Sequence, residues 1–285
     1  MSGGPRDREA LARIVAAALA EDLGERGDVT TDAVVPAGRR ARATFVARQS
    51  LVVSGLPAAR EVFAQLDPTL EFRALRSDGE EAAAGDPVAR VEGDARPILR
   101  GERTALNFLM RMCGIATRTR EAVREVAGTG AAILDTRKTA PGLRLLDKRA
   151  VADGGGTNHR MGLHDAVMIK DTHLAVAGSI GEAVARALAA GHPRAAITVE
   201  VATPGELSEA LAAGAGRALL DNMDLAALRE CVARGKGRIV LEASGGLRPG
   251  ALRPVAETGV DCLSVGGLTH SAPAADLAMD LSWRP

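Results

Sequence analysis

Beyond residue 130 the chain repeats one theme, a short apolar run that ends in polar residues followed by a stretch with helical spacing. The runs read AAILDT, DAVMIKD, AITVEV, RALLDN, IVLEASGG and CLSVGGL, and the helical stretches fall at 179–190, 204–213, 223–234 and 248–257. Strands that alternate with helices must run parallel, so six such units predict a barrel-like parallel sheet of the α/β class. The first gap is longer and holds GLRLLDKRAVADGGGTNHRMGLH.

Upstream the pattern differs. Leu11, Ile14, Val15, Ala18 and Leu19 predict a helix over about 7–22, with Asp7 as its N-cap. From 41 to 91 short alternating runs (ATFVA, SLVVSG, DPVARVEG) surround one helical segment, Leu56 to Leu66, which predicts an α+β layer. Asp28, Thr30 and Thr31 read as a capping and turn cluster. Ile98, Leu99, Leu106, Leu109 and Met110 mark a long helix over about 95–126 with a break at Gly114, bridging two domains.

Composition narrows the function classes. With 285 residues, 46% of them hydrophobic, there is material for about two domains. A net charge of +0 and 2% aromatic residues supply neither the basic field nor the stacking platforms of a nucleic-acid binder. Cys113, Cys231 and Cys262 have no C-x-x-C spacing, so neither a disulfide framework nor a zinc cluster is indicated, and a reducing cytoplasm is expected. The apolar stretch Leu11 to Ala20 contains Arg13 and precedes Glu21 and Asp22, which suits a surface helix and not a signal peptide or membrane span.

The strand ends carry the chemistry, because in a parallel barrel the loops there converge on one mouth. In order they are Asp135, Thr136, Arg137 and Lys138, then Lys170 and Asp171, Glu200, Asp221 and Asn222, Glu242 and Ser244, and Ser264 with Gly266. Lysine occurs only at 138, 148, 170 and 236, with arginine supplying the other positive charge, so lysine at a strand end is not casual decoration. Arg137, Lys138, His159, Arg160 and Lys170 form a cationic set, while Glu200 and Asp221 add carboxylates. Guanidinium forks match carboxylates and phosphates, so the mixture suits an anionic substrate together with a metal-bound pyrophosphate. Gly245-Gly246 and Gly266-Gly267 follow the last two strands, where backbone N–H groups can cup a phosphate.

Several segments are specific as ordered motifs: EDLGERGDVTT, GERTALNFLMRMCGIAT, LDTRKTAPGLR, GGGTNHRMGLHDAVMIKDTH, LEASGG and GVDCLSVGGLTHS. Over nearly the whole chain they resemble the quinolinate phosphoribosyltransferases. Departures fall at Met110, Cys113, Ala140, Arg149 and Thr172, none among the residues given roles below. The resemblance implies an N-terminal α/β sandwich domain (1–108, joined by 272–285) and an incomplete six-stranded parallel α/β barrel (109–271). It also implies a homodimer with shared active sites, open to assembly into a higher oligomer, that takes quinolinate and phosphoribosyl pyrophosphate with Mg2+.

Position by position, the resemblance gives the quinolinate carboxylates to Arg103 from the partner, Thr136, Arg137, His159 and Arg160. Lys138 and Lys170 would meet phosphoribosyl pyrophosphate, and Glu200 and Asp221 would hold its ribose hydroxyls and magnesium. Ser244, Gly245, Ser264, Gly266 and His270 would complete the substrate site around the terminal phosphate. Three other readings stay open: a phosphoribosyltransferase for nicotinate, a barrel aldolase with Lys170 as Schiff base, and a non-catalytic binding protein.

Overall fold

The structure, a computed structural model, describes residues 4–283. In chain order its elements begin with α1 (Pro5–Leu23), α2 (Val29–Val34), β1 (Arg40–Ala47), β2 (Leu51–Val52), α3 (Leu56–Leu66), β3 (Glu71–Ala74), β4 (Glu81–Ala82), β5 (Pro87–Asp94) and α4 (Ala95–Glu125). They continue with β6 (Ala132–Leu134), α5 (Arg144–Asp153), β7 (Val167–Ile169), α6 (Asp171–Ala177), α7 (Ile180–Ala189), β8 (Ile197–Val201) and α8 (Pro204–Ala213). The last are β9 (Arg217–Asp221), α9 (Leu225–Gly235), β10 (Val240–Ser244), α10 (Arg253–Ala256), β11 (Cys262–Ser264), α11 (Gly267–His270) and β12 (Leu277–Trp283). Two compact units result: Met1–Arg118 with Ala140–Gly155 and Ala272–Pro285, and Thr119–Thr139 with Gly156–Ser271.

The first unit is built on an antiparallel sheet in the order β12-β1-β5-β3. Burial alternates strictly along β1, the signature of a sheet with one packed face, and Ala41, Ala43, Phe45 and Ala47 point inward. Phe63 of α3 meets Phe45 and Phe72, each at 6.0 Å between ring centroids, so the helix sequence expected at 56–66 covers that face. Asp28 caps α2 by accepting from the backbone N–H of Thr30 and Thr31.

Two helix expectations need correction. The N-cap of α1 is Gly4 and not Asp7, because Pro5 starts the helix a turn earlier and leaves Asp7 inside the first turn. Nor does α4 break at Gly114. There the missing side chain makes room for the C-terminal segment: a Cβ would lie 2.1 Å from the Pro273 carbonyl oxygen, and Ala275 N–H donates to Met110 O at 2.9 Å. The glycine serves close approach between segments, which helical spacing cannot reveal.

In the second unit six strands line up as β6-β11-β10-β9-β8-β7, every ladder parallel. β6 and β7 are consecutive in this set yet occupy opposite edges, so the sheet is an incomplete barrel, as expected. β8, β9 and β11 are buried nearly throughout, as parallel strands covered on both faces must be. α7, α8 and α9 fall where the spacing placed them, with Ser179, Thr203 and Asp224 as N-caps. The helix expected at 248–257 shrinks to α10. Gly250 has φ +97°, outside the helical region, and the Glu125 carboxylate instead holds the N–H groups of Gly250, Leu252 and Arg253. Two short helices at strand ends, α6 and α11, were not foreseen.

Candidate active site

Because every ladder is parallel, all six strands deliver their carboxyl ends to one side of the sheet. The glycine-rich segment joins them there. Thr157 bridges to Leu134 at the free edge of β6, with Thr157 N–H donating to Ile133 O at 2.8 Å and Asp135 N–H to Thr157 O at 3.2 Å. This pairing carries His159 and Arg160 to the strand end that already bears Thr136, Arg137 and Lys138.

Asp135, fully buried, organises the join. One oxygen accepts His159 N–H at 2.8 Å and the other the Asn158 side-chain amide at 2.6 Å. Arg160 donates through Nη1 to Ala166 O at 3.1 Å. Burial, and then the neighbouring charge of Arg137, make the Arg160 guanidinium less favourable to protonate than usual. Two guanidinium groups close enough to repel form a site that an anion relieves.

Lys138 and His270 border Gly266: a Cβ on that glycine would lie 3.0 Å from Lys138 Cδ and 3.3 Å from His270 Nε2. Thr269 Oγ1 holds this corner by donating to the Lys138 carbonyl at 2.8 Å. Lys170, at the end of β7, pairs with Glu200 on neighbouring β8 at 2.6 Å. Asp221 and Ser244 sit opposite one another in register at the ends of β9 and β10. Asn222 Nδ2 donates to Asp221 at 2.7 Å.

The expected residues thus gather in clusters: Arg137 with Arg160, Lys138 with Gly266 and His270, Lys170 with Glu200, and Asp221 with Ser244 and Gly245. Ser264 is buried, and its hydroxyl donates to the Glu242 carboxylate. Arg103 is exposed on α4 and belongs to the first unit. The sequence marks Asp135, Glu242 and Asn222 as strand-end polar groups and gives them no role. Complete burial of the first two and the positive φ of the third mark them out, and only the fold exposes those signals.

Parallel strand ends that bear paired guanidinium and ammonium groups beside separate carboxylates define an α/β-barrel enzyme acting on small polyanionic molecules. Family models described as quinolinate phosphoribosyl transferase, N-terminal domain and C-terminal domain, match residues 28–113 and 115–280. The chain belongs to the quinolinate phosphoribosyltransferase family.

Its relatives agree. The chain is 43% identical over 289 aligned positions to a chloroplastic carboxylating nicotinate-nucleotide pyrophosphorylase of Oryza sativa subsp. japonica, covering 95% of this chain and 77% of the rice protein. A probable carboxylating nicotinate-nucleotide pyrophosphorylase of Bacillus subtilis is 40% identical, covering 92% of this chain and 90% of its own length. The crystal structure of nicotinate-nucleotide pyrophosphorylase from Ehrlichia chaffeensis superposes with a TM-score of 0.91 at 35% identity, covering 99% and 100% of the two chains.

Proposed function

We propose that this protein transfers the phosphoribosyl group of phosphoribosyl pyrophosphate to quinolinate, releasing pyrophosphate and carbon dioxide and leaving nicotinate mononucleotide, a step of NAD biosynthesis. The carrying observation is the charge layout: the guanidinium pair Arg137 and Arg160 at one strand end, with Lys138, Lys170, Glu200 and Asp221 at the carboxyl ends of the same parallel sheet. Family membership identifies the substrates.

The pyridine nitrogen displaces pyrophosphate from the anomeric carbon while positive charge develops on the ribose. No protein nucleophile is required, so the chain's task is positioning and electrostatic stabilisation. Arg137 and Arg160 orient quinolinate through its carboxylates, with Thr136 assisting. Lys138 and Lys170 face the charge that builds on the departing pyrophosphate, and Ser244, Gly245, Gly266 and His270 surround the terminal phosphate. After ribosylation the pyridinium charge stabilises the carbanion left as the adjacent carboxylate departs as carbon dioxide, and that carbon then takes a proton from water to give nicotinate mononucleotide. Binding must favour that transition state over the bound carboxylate.

Magnesium fits the donor set. Among the described residues no group of three or more His, Cys, Asp or Glu side chains is placed to hold an ion. Glu200 and Asp221 stand on adjacent strands as separate carboxylates, which suits an ion that keeps waters and arrives on substrate phosphates. They would hold it together with the ribose hydroxyls, and when bound it would neutralise charge on the leaving pyrophosphate.

The reading includes a homodimer with shared sites, in which Arg103, exposed on α4, would complete the partner's quinolinate pocket. Mixing Arg103→Ala and Lys138→Ala proteins, each inactive alone, should then restore part of the activity. No recovery despite verified subunit exchange would refute shared sites. A reducing cytosol suits three buried free thiols, and among the described residues no helix is long and apolar enough to cross a membrane.

The function itself is tested by incubating the protein with phosphoribosyl pyrophosphate, magnesium and either quinolinate or nicotinate. Nicotinate mononucleotide and carbon dioxide from quinolinate alone is the expected result. Turnover of nicotinate alone, or of neither substrate by folded protein, would overturn it.

A further inference from the structure

We infer that Glu242 is a positioning residue for quinolinate recognition, acting through the His159 imidazole to fix Arg160. The inference rests on the reaction proposed above. Glu242 is fully buried at the middle of β10. One of its oxygens accepts the Ser264 hydroxyl, while the other lies 3.3 Å from His159 Nε2 and 3.6 Å from Arg217 Nε.

The other side of the imidazole sets its tautomer. His159 Nδ1 accepts the backbone N–H of Arg160 at 2.7 Å, so in the neutral ring the proton resides on Nε2 and faces the carboxylate. The contact at Nε2 has the range of an ion pair without the alignment of a full hydrogen bond. Asp135 meanwhile holds the His159 backbone N–H at 2.8 Å. The ring is thereby clamped between a buried carboxylate and the amide of its own neighbour. Both ring nitrogens are turned to protein groups, so the effect of His159 on substrate passes through the placement of Arg160.

A buried carboxylate costs free energy unless its bonds are satisfied, and burial does push the Glu242 carboxyl up. The His159 imidazole, the Ser264 hydroxyl and the Arg217 charge more than reverse this and leave Glu242 below the usual carboxylate range. An anion held so firmly by Ser264, His159 and Arg217 would orient the imidazole without pairing with the Arg137 and Arg160 guanidinium groups that must meet substrate.

The test is a double-mutant cycle on full-length protein, measuring KM for each substrate and kcat. Glu242→Gln keeps the shape and removes the charge. It should raise the KM for quinolinate about tenfold and leave the KM for phosphoribosyl pyrophosphate within about twofold, and the quinolinate effect should largely vanish in an Arg160→Lys background. Additive effects, or equal losses for both substrates, would overturn the inference.

Should Glu242→Gln fail to fold, substitutions of the ring decide. Asparagine at 159 can place its oxygen where Nδ1 stands, so His159→Asn should recover much of the quinolinate affinity that His159→Leu loses. Equal loss in both variants would mean that the ring acts on substrate itself. Wild-type protein that turns over no quinolinate defeats the proposed reaction, whereas active wild-type protein with an additive cycle defeats this inference alone.

Discussion

Asn222 presses against Gly245 so closely that a Cβ on the glycine would lie 2.2 Å from Asn222 Oδ1 and 2.8 Å from its backbone nitrogen. Both residues have positive φ, +54° and +95°, and Asn222 is the one non-glycine residue in that region among those described. Asn222 N–H donates to Ser244 O at 3.0 Å while its side-chain amide reaches Asp221. A turn of sparsely populated backbone therefore sets the direction of a carboxylate proposed to bind ribose and metal.

Two substitutions should separate the strain from the hydrogen bond. Gly245→Ala introduces both a clash and a left-handed alanine that costs about 1 kcal/mol, so thermal stability and kcat/KM should both fall. Asn222→Gly relieves the backbone and deletes the amide contact with Asp221. It should melt within a few degrees of the parent while kcat/KM drops at least tenfold, as measured by calorimetry and steady-state kinetics. Unchanged kinetics would show that Asp221 needs no such support.

Replacing glycine by alanine inside a helix ordinarily stabilises by about 1 kcal/mol. At Gly114 the sign should reverse, because the new methyl meets the Pro273 carbonyl. Overpacking of this kind costs about 2 kcal/mol. Urea unfolding of Gly114→Ala should therefore give a lower midpoint than the parent, and a higher one would place the C-terminal segment elsewhere.

Asp78 and Asp153 lie close enough in the first unit for their charges to interact. Burial, in part offset by the Leu56 N–H, and then the charge of Asp153 raise the Asp78 carboxyl above its usual value. For Asp153, burial outweighs the Ser54 hydroxyl at 2.7 Å and the Arg149 charge. The folded protein then binds these protons more tightly than the unfolded chain, so their contribution is present below about pH 4 and is lost as pH rises through the raised folded values. Asp78→Asn keeps an acceptor for Leu56. It should unfold at higher urea than the parent at pH 7, with the gap closing near pH 4. A gap that widens toward acid would contradict the sign.

Burial pushes the Cys113 and Cys262 thiols up to about 12, and it raises Cys231 as well. The thiolate is the reactive form, so all three should resist iodoacetamide at pH 8 in folded protein. Mass spectrometry should find modification only after denaturation, with activity intact beforehand. Rapid alkylation of the native protein would show that these sites open readily.

Much of this architecture is readable along the chain because the determining forces are local. Capping residues Ser179, Thr203 and Asp224 start helices where spacing predicts them, and the apolar runs of the second unit become parallel strands. Polar residues at strand ends were legible for the same reason: a parallel sheet leaves its carboxyl ends at one face. Asp7 and the 248–252 segment misled because one rested on capping type without regard to Pro5, and the other on helical spacing against a glycine at positive φ.

By itself the sequence determined the order of elements, the parallel sense of the second sheet and the set of cations and carboxylates at its mouth. These follow from periodicity, propensity and chain connectivity. The tertiary structure decided which of those groups touch. It turned Ser264 and His159 toward Glu242, set Asn222 against Gly245 and used Gly114 to admit Pro273. Such contacts join residues remote in sequence, and they depend on burial and on distances fixed only when the backbone is packed in three dimensions.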